Sequence, residues 1–228
     1  MTYCRHHEPT VNTMVILNQF EVTVPIDGKA CEEVANEHTM DFGSVYIETV
    51  PGAHFEIQLA INPGFNFGRA NYLRWEIFLN GESAVKSLCY RTEYQRDDCW
   101  RGSRGSLKER RDGRWYEKKF RFEDARIREN EPHDTDDLIR ALKEVVWTIK
   151  VVIPRRIRRQ NPEAQRDPAQ TIGSVPLKAV KGQAITMSST FGDAQPTEFI
   201  TYHEGEDVDA RPAATFVFKY RTKGGSHA

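Results

Sequence analysis

Apolar and polar side chains alternate with period two along much of the chain, and that alternation predicts strands, because successive side chains of a strand point to opposite faces. Phe20, Val22, Val24 and Ile26 share one face against Glu21 and Thr23, until Asp27-Gly28 marks a turn. Val45, Ile47 and Thr49 form the next stripe, ended by Pro51-Gly52, and Phe55, Ile57, Leu59 and Ile61 the one after, stopped by Asn62-Pro63-Gly64. Leu73, Trp75, Ile77 and Leu79 lead directly into Asn80-Gly81, whose residues both tolerate positive φ. This predicts a type I′ hairpin with Ala84–Tyr90 as the return strand. Trp115, Phe120, Phe122 and Ile127 resume the signal, followed by Val145, Trp147, Ile149, Val151 and Ile153 up to Pro154, and finally by Phe216, Phe218 and Tyr220.

The segments between carry weaker signals. Residues 1–13 show no period and read as a flexible N-terminal tail; residues 29–41, with Glu32, Glu33, Glu37 and Asp41, read as an acidic loop. One helix is expected near Asp134–Lys143, with Asp134 or Thr135 as its cap and Asp136 and Asp137 against the positive end of the dipole. Many short strands without a βαβ rhythm point to a mostly β, antiparallel β-sandwich, jelly-roll or immunoglobulin-like, with one short helix. The expected organisation is a single domain over residues 14–223, with long charged loops near 91–111 and 155–172. Residues 224–228 then read as a tail or an expression scar.

Composition supports a packed core and narrows the partners. Hydrophobic residues make up 39% of the 228 residues and aromatics 11%, too much for a disordered chain. A formal net charge of -1 gives no global pull toward nucleic acid or anionic membranes. The start Met1-Thr2-Tyr3-Cys4 does not read as a secretory signal, and no apolar run in the sequence is long enough to be expected to span a bilayer as a helix. Cys4, Cys31, Cys89 and Cys99 show no CxxC spacing and are expected to be reduced, in cytoplasm or nucleus. No membrane partner is expected.

Catalytic signatures are not found. His54-Phe55-Glu56 has the spacing of a facial metal triad with His203 downstream, but His54 also reads simply as a strand start after a turn. There is no G-x-S-x-G elbow and no S-x-x-K pair. The acidic run Glu204, Glu206, Asp207 and Asp209 reads as a solvated turn. No catalytic residue, metal site or cofactor is therefore assigned.

Charge segregation remains. One basic block contains Arg101, Arg104, Lys108, Arg110 and Arg111; a second, Arg155, Arg156, Arg158 and Arg159, follows Pro154. These nine are the candidate polyanion contacts, against the alternative of a solvated loop or an import signal. Trp100 and Trp115 flank the first block, with Trp115 expected in the core. The acidic segments 32–41 and 204–209 suggest instead that oppositely charged loops dock between copies.

The stretches Phe20-Glu21-Val22-Thr23-Val24, Tyr46-Ile47-Glu48 with Pro51-Gly52, Phe55-Glu56-Ile57 and Phe216-Val217-Phe218-Lys219-Tyr220-Arg221 together resemble a fungal domain family of unknown function. Phe78-Leu79-Asn80-Gly81 departs mildly from that family's "YLDG"-type hairpin. The resemblance implies a fungal intracellular protein with charged loops, and it carries over no activity, cofactor or site residue. Three functions are thus expected in order: a non-enzymatic interaction module, protein–protein or self-associating; a nuclear protein touching polyanions or nucleic acid through arginines; and a sandwich-class enzyme with a hidden site.

Overall fold

In the computed structural model, residues 15–31, 33–39, 41–124, 127–128, 136, 147–158, 175–176, 187–197 and 205–222 are described. The first sheet is built near the N-terminus. β1 (Val15–Leu17) and β2 (Phe20–Thr23) form a hairpin, β2 pairs with β5 (Ile57–Ile61), and β5 pairs with β8 (Trp100–Arg104), all antiparallel. A second, larger sheet lies opposite. Its spine is β6 (Tyr72–Leu79), flanked by β7 (Glu82–Tyr90) on one side and β12 (Thr148–Ile153) on the other. From β12 it runs through β18 (Ala214–Thr222) and β4 (Phe42–Thr49) to β3 (Glu33–His38).

The two inner faces meet in one core, as in a β-sandwich. Phe20, Val22, Ile57 and Leu59 of the first sheet and Trp75, Ile77, Ile149, Val151, Phe216 and Phe218 of the second are all buried. Trp75 and Trp100 touch edge to face across the gap, with ring centroids 6.1 Å apart. Val24, Ile47, Phe55, Leu79, Phe120, Phe122 and Trp147, expected inside from their spacing, are buried as well. The Asn80-Gly81 hairpin forms as expected, with both residues at positive φ and Leu79 opposite Glu82.

Several expectations are corrected. The sheets are mostly antiparallel, as expected, but two pairs are parallel: β18 with β4, from Thr215↔Phe42 to Thr222↔Thr49, and the short β11 (Ile127–Arg128) with β14 (Val175–Pro176). The acidic stretch 29–41 contains β3, which pairs with β4, rather than being a loop throughout. The span 91–111 is not a loop. It holds α1 (Arg91–Asp97), then β8 and β9 (Ser106–Arg111). Helix α1 follows Tyr90, whose amide donates to the Glu93 side chain, and it packs Tyr94 against Phe65 and Phe67. The segment after Pro154 also starts as a strand: β13 (Arg155–Arg158) continues along β6 after the proline interrupts the ladder. The helix expected near 134–143 lies outside the described residues, apart from the helical Asp136.

The cysteines are corrected too. Cys31 and Cys89 are free, but Cys99 is disulfide-bonded. Among the described residues, no helix is long and apolar enough to cross a membrane.

Candidate functional site

A third sheet holds Lys108, Arg110 and Arg111 of the first basic block. β10 (Arg114–Asp124) is long enough to pair with β9 and β16 (Gln195–Thr197) at its start and with β15 (Met187–Phe191) at its end. Its second half belongs to the core. Phe122 stacks on Phe55 at 4.3 Å and meets Tyr220 at 5.0 Å. Its first half forms a hairpin with β9 around Asp112-Gly113, both at positive φ as a two-residue turn requires.

The hairpin has two rows of side chains. Leu107 and Glu109 face inward and are buried. A carboxylate there needs opposite charge, and Arg111 Nε at 2.7 Å and Lys118 Nζ at 2.8 Å supply it. The outer row pairs Ser106 with Lys119, Lys108 with Glu117 and Arg110 with Trp115 across the strands. Ser106 Oγ donates to Glu117. Arg110, Arg114 and Lys119 are exposed, and Trp115 is half-buried rather than in the core as expected. From Ser106 to Lys119 six Lys and Arg stand against three carboxylates, a local charge of +3 in a chain of net -1.

Of the nine basic residues singled out by sequence, those that are described therefore do not converge. Arg101 lies on the outer face of the first sheet, in a shallow cleft of ≈ 390 Å³ with Glu21, Thr23 and Gln58. The Arg104 guanidinium sits 5.6 Å from the Trp75 ring centroid and its Nε donates to Ser87 Oγ at 2.6 Å. Burial lowers its pKa from the ordinary arginine value. Arg155 and Arg156 are engaged by the acidic segment, which forms β17 (Gly205–Asp207) on the open side of β13. Arg156 Nε is 2.8 Å from Asp207, and Arg155 Nε is 3.4 Å from Asp209 and stands over Phe65. Oppositely charged segments do dock, but here within one chain. Arg158 pairs with Gly205 in the same ladder, and Arg159 lies outside the described residues. Lys108, Arg110 and Arg111 stay together on β9.

A second cleft, ≈ 370 Å³, opens where the hairpin meets the turn at residues 25–28, lined in part by Asp27, His54, Glu56, Ser106, Glu117 and Lys119. His54 is pinned there: its amide donates to Asp27 Oδ1 at 2.9 Å and Nδ1 lies 3.1 Å from the Phe120 carbonyl. Facing a carbonyl, Nδ1 carries a hydrogen. Among the described residues no three His, Cys, Asp or Glu side chains cluster as metal ligands; His203, the third member of the spacing considered above, lies outside them. His54 was visible in the sequence, but Ser106 and Glu117 were not, because the topology brings them to it.

The arrangement of two facing sheets and a basic hairpin spans nearly the whole chain, and one family model matches residues 19–225. The chain belongs to the DUF7918 family, a domain of unknown function. Among curated proteins and among solved structures, none matches the chain. The DUF7918 domain thus brings no inherited site, and the β9–β10 hairpin with its adjoining cleft stands on its own geometry.

Proposed function

We propose that this DUF7918 domain is a non-enzymatic interaction module that binds another protein or a second copy of itself through the β9–β10 hairpin. One observation carries the reading. Among the described residues β9 pairs with β10 alone, which leaves its other edge without a partner strand among them, and that edge displays Lys108, Arg110 and Arg111 on a strand braced from beneath by buried Leu107 and Glu109. An open strand edge is a template for a partner strand. A rigid presenting element also keeps the entropic cost of association low. The strand resemblance suits a fungal source. An intracellular site of action is the part of the reading that the Cys99 bridge opposes, since structural disulfides persist in oxidising compartments.

The polyanion reading comes second, supported by the half-buried Trp115 opposite Arg110, an aromatic beside a cation as single-stranded nucleic acid prefers. An enzyme comes third; its chemistry would sit at His54. The test is a comparative affinity purification. The intact chain and a Lys108→Gln/Arg110→Gln/Arg111→Gln/Arg114→Gln variant are used as baits, with matched melting temperatures. Partners lost from the variant support the reading. Identical partner sets, with no self-association of either bait by sedimentation, remove it.

A further inference from the structure

Resting on that reading, we infer that the open edge of β9 takes an extended acidic protein segment, added as a further strand. Edge strands are commonly protected by lysine and arginine, because like charges on two such edges repel each other. Here the protection is selective. The same charges that deter a second β9 favour a strand whose outward side chains are Asp or Glu. In the outer row, Arg110 stands opposite Trp115, and Lys108 stands opposite Glu117, whose carboxylate already accepts from Ser106; among the described residues neither cation is in an ion pair. The carboxylate that would repel an acidic guest, Glu109, is turned inward and covered by Arg111 and Lys118.

The geometry also bounds the guest. From Lys108 to Arg111 the edge is about 10 Å long at the strand rise of about 3.3 Å per residue. That length admits an extended segment of about four residues, with acids at alternate positions. Beyond Ser106 the surface changes sign, since Asp27 and Glu56 line the cleft beside Lys119. An acidic segment therefore stops at the cleft. A nucleic-acid strand would need a longer cationic track, and Arg104, Arg155 and Arg156, which sequence placed in it, are engaged elsewhere.

The experiment uses the full chain and fluorescein-labelled peptides of about ten residues that alternate Glu with Thr, or Lys with Thr as control, at about 0.05 M salt, where surface charges are weakly screened. The acidic peptide is expected to bind and the basic one not. Lys108→Gln/Arg110→Gln should weaken binding about tenfold, the effect of two exposed charge pairs together. Amide exchange should slow over residues 106–111 when the acidic peptide is bound, a readout that simple charge attraction does not move. Absence of binding, binding insensitive to the double change, or binding without amide protection each overturns the inference. So does tighter, equally sensitive binding of a single-stranded oligonucleotide. If the hairpin variant loses protein partners in the purification while the acidic peptide fails, the interaction module stands and only the chemistry assigned to its partner falls.

Discussion

The Tyr220 hydroxyl donates to Asn80 Oδ1 at 2.5 Å, joining the closing strand β18 to the turn that ends β6. Both groups are buried, and the contact is part of a closed set. Asn80 Oδ1 also accepts from the Trp147 amide at 3.2 Å, while Asn80 Nδ2 donates to the Ser189 carbonyl at 2.9 Å. The Ser189 amide returns a hydrogen bond to Tyr220 Oη at 2.8 Å. One side chain thus ties the hairpin turn, the start of β12 and strand β15 together. Asn80 is there for two reasons, since its φ of 52° suits the type I′ turn as well.

Replacing Asn80 should therefore hurt in two separable ways. Asn80→Gly keeps the turn and removes the hydrogen bonds, at an expected cost of about 2–3 kcal/mol for buried groups left unpaired. Asn80→Ala adds the strain of a positive φ and should cost about 1 kcal/mol more. Urea denaturation reads the difference. Equal losses for the two variants would show that the turn conformation contributes nothing.

Stability should fall at alkaline pH. Burial raises the pKa of Tyr220, of Tyr72 and of the Cys89 thiol above their ordinary values. Above about pH 9–10 the unfolded chain loses these protons while the folded chain keeps them, so the unfolded state is favoured as pH rises further. Below the unfolded-state pKa values the full stability is present. Each group contributes a slope of up to about 1.4 kcal/mol per pH unit in this window. Denaturation midpoints should decline between pH 9 and 11, less steeply in Tyr220→Phe. Parallel declines in the two proteins would show that Tyr220 is not among the groups responsible.

What the sequence made legible followed from burial on one face. Wherever a strand has one apolar row, as in Leu73–Leu79 or Phe216–Tyr220, alternation located it and named its core residues. Strand β9 escaped because its inward row contains Glu109, and an inward carboxylate breaks the pattern until Arg111 and Lys118 are placed over it. Helix α1 escaped because Tyr94 is its single buried side chain, too little for a 3.6-residue period. The basic block was visible as composition. That Arg104 turns onto Trp75 while Arg110 stands in the outer row of the hairpin is a consequence of strand phase and topology, which no local pattern encodes.

The bridge at Cys99 makes a direct prediction. Reductant should lower the melting temperature by several degrees, as loss of a native disulfide removes about 2–4 kcal/mol. Cys99→Ser should reproduce the shift and be insensitive to reductant. Thiol titration of the unfolded, unreduced protein should find Cys31 and Cys89 reactive and Cys99 protected. A melting temperature unmoved by reductant would remove the bridge from the account of stability.

The two arginine blocks should behave oppositely when neutralised. Arg156 is only 12% exposed and sits beside Asp207 at 2.8 Å, on a strand whose partner packs closely: a Cβ on Gly205 would meet the Tyr72 hydroxyl and the Ile157 carbonyl. Arg155→Gln/Arg156→Gln should therefore lower stability by about 1–2 kcal/mol, as loss of a partly buried charge network does. This departs from what a loop after Pro154 implies, namely an intact fold. Arg110→Gln/Arg114→Gln, at exposed positions, should stay within about 0.5 kcal/mol of the parent. Any polyanion binding should show the reverse order. Each phosphate contact with duplex DNA contributes about 0.9 to the slope of log affinity against log salt. The hairpin pair should flatten that slope by up to about 1.8, and the strand pair should leave it unchanged once stability is matched by temperature. A slope that responds to Arg155 and Arg156 and ignores the hairpin would mean that β17 yields its place to the polyanion. The basic surface would then have to be redrawn around β13.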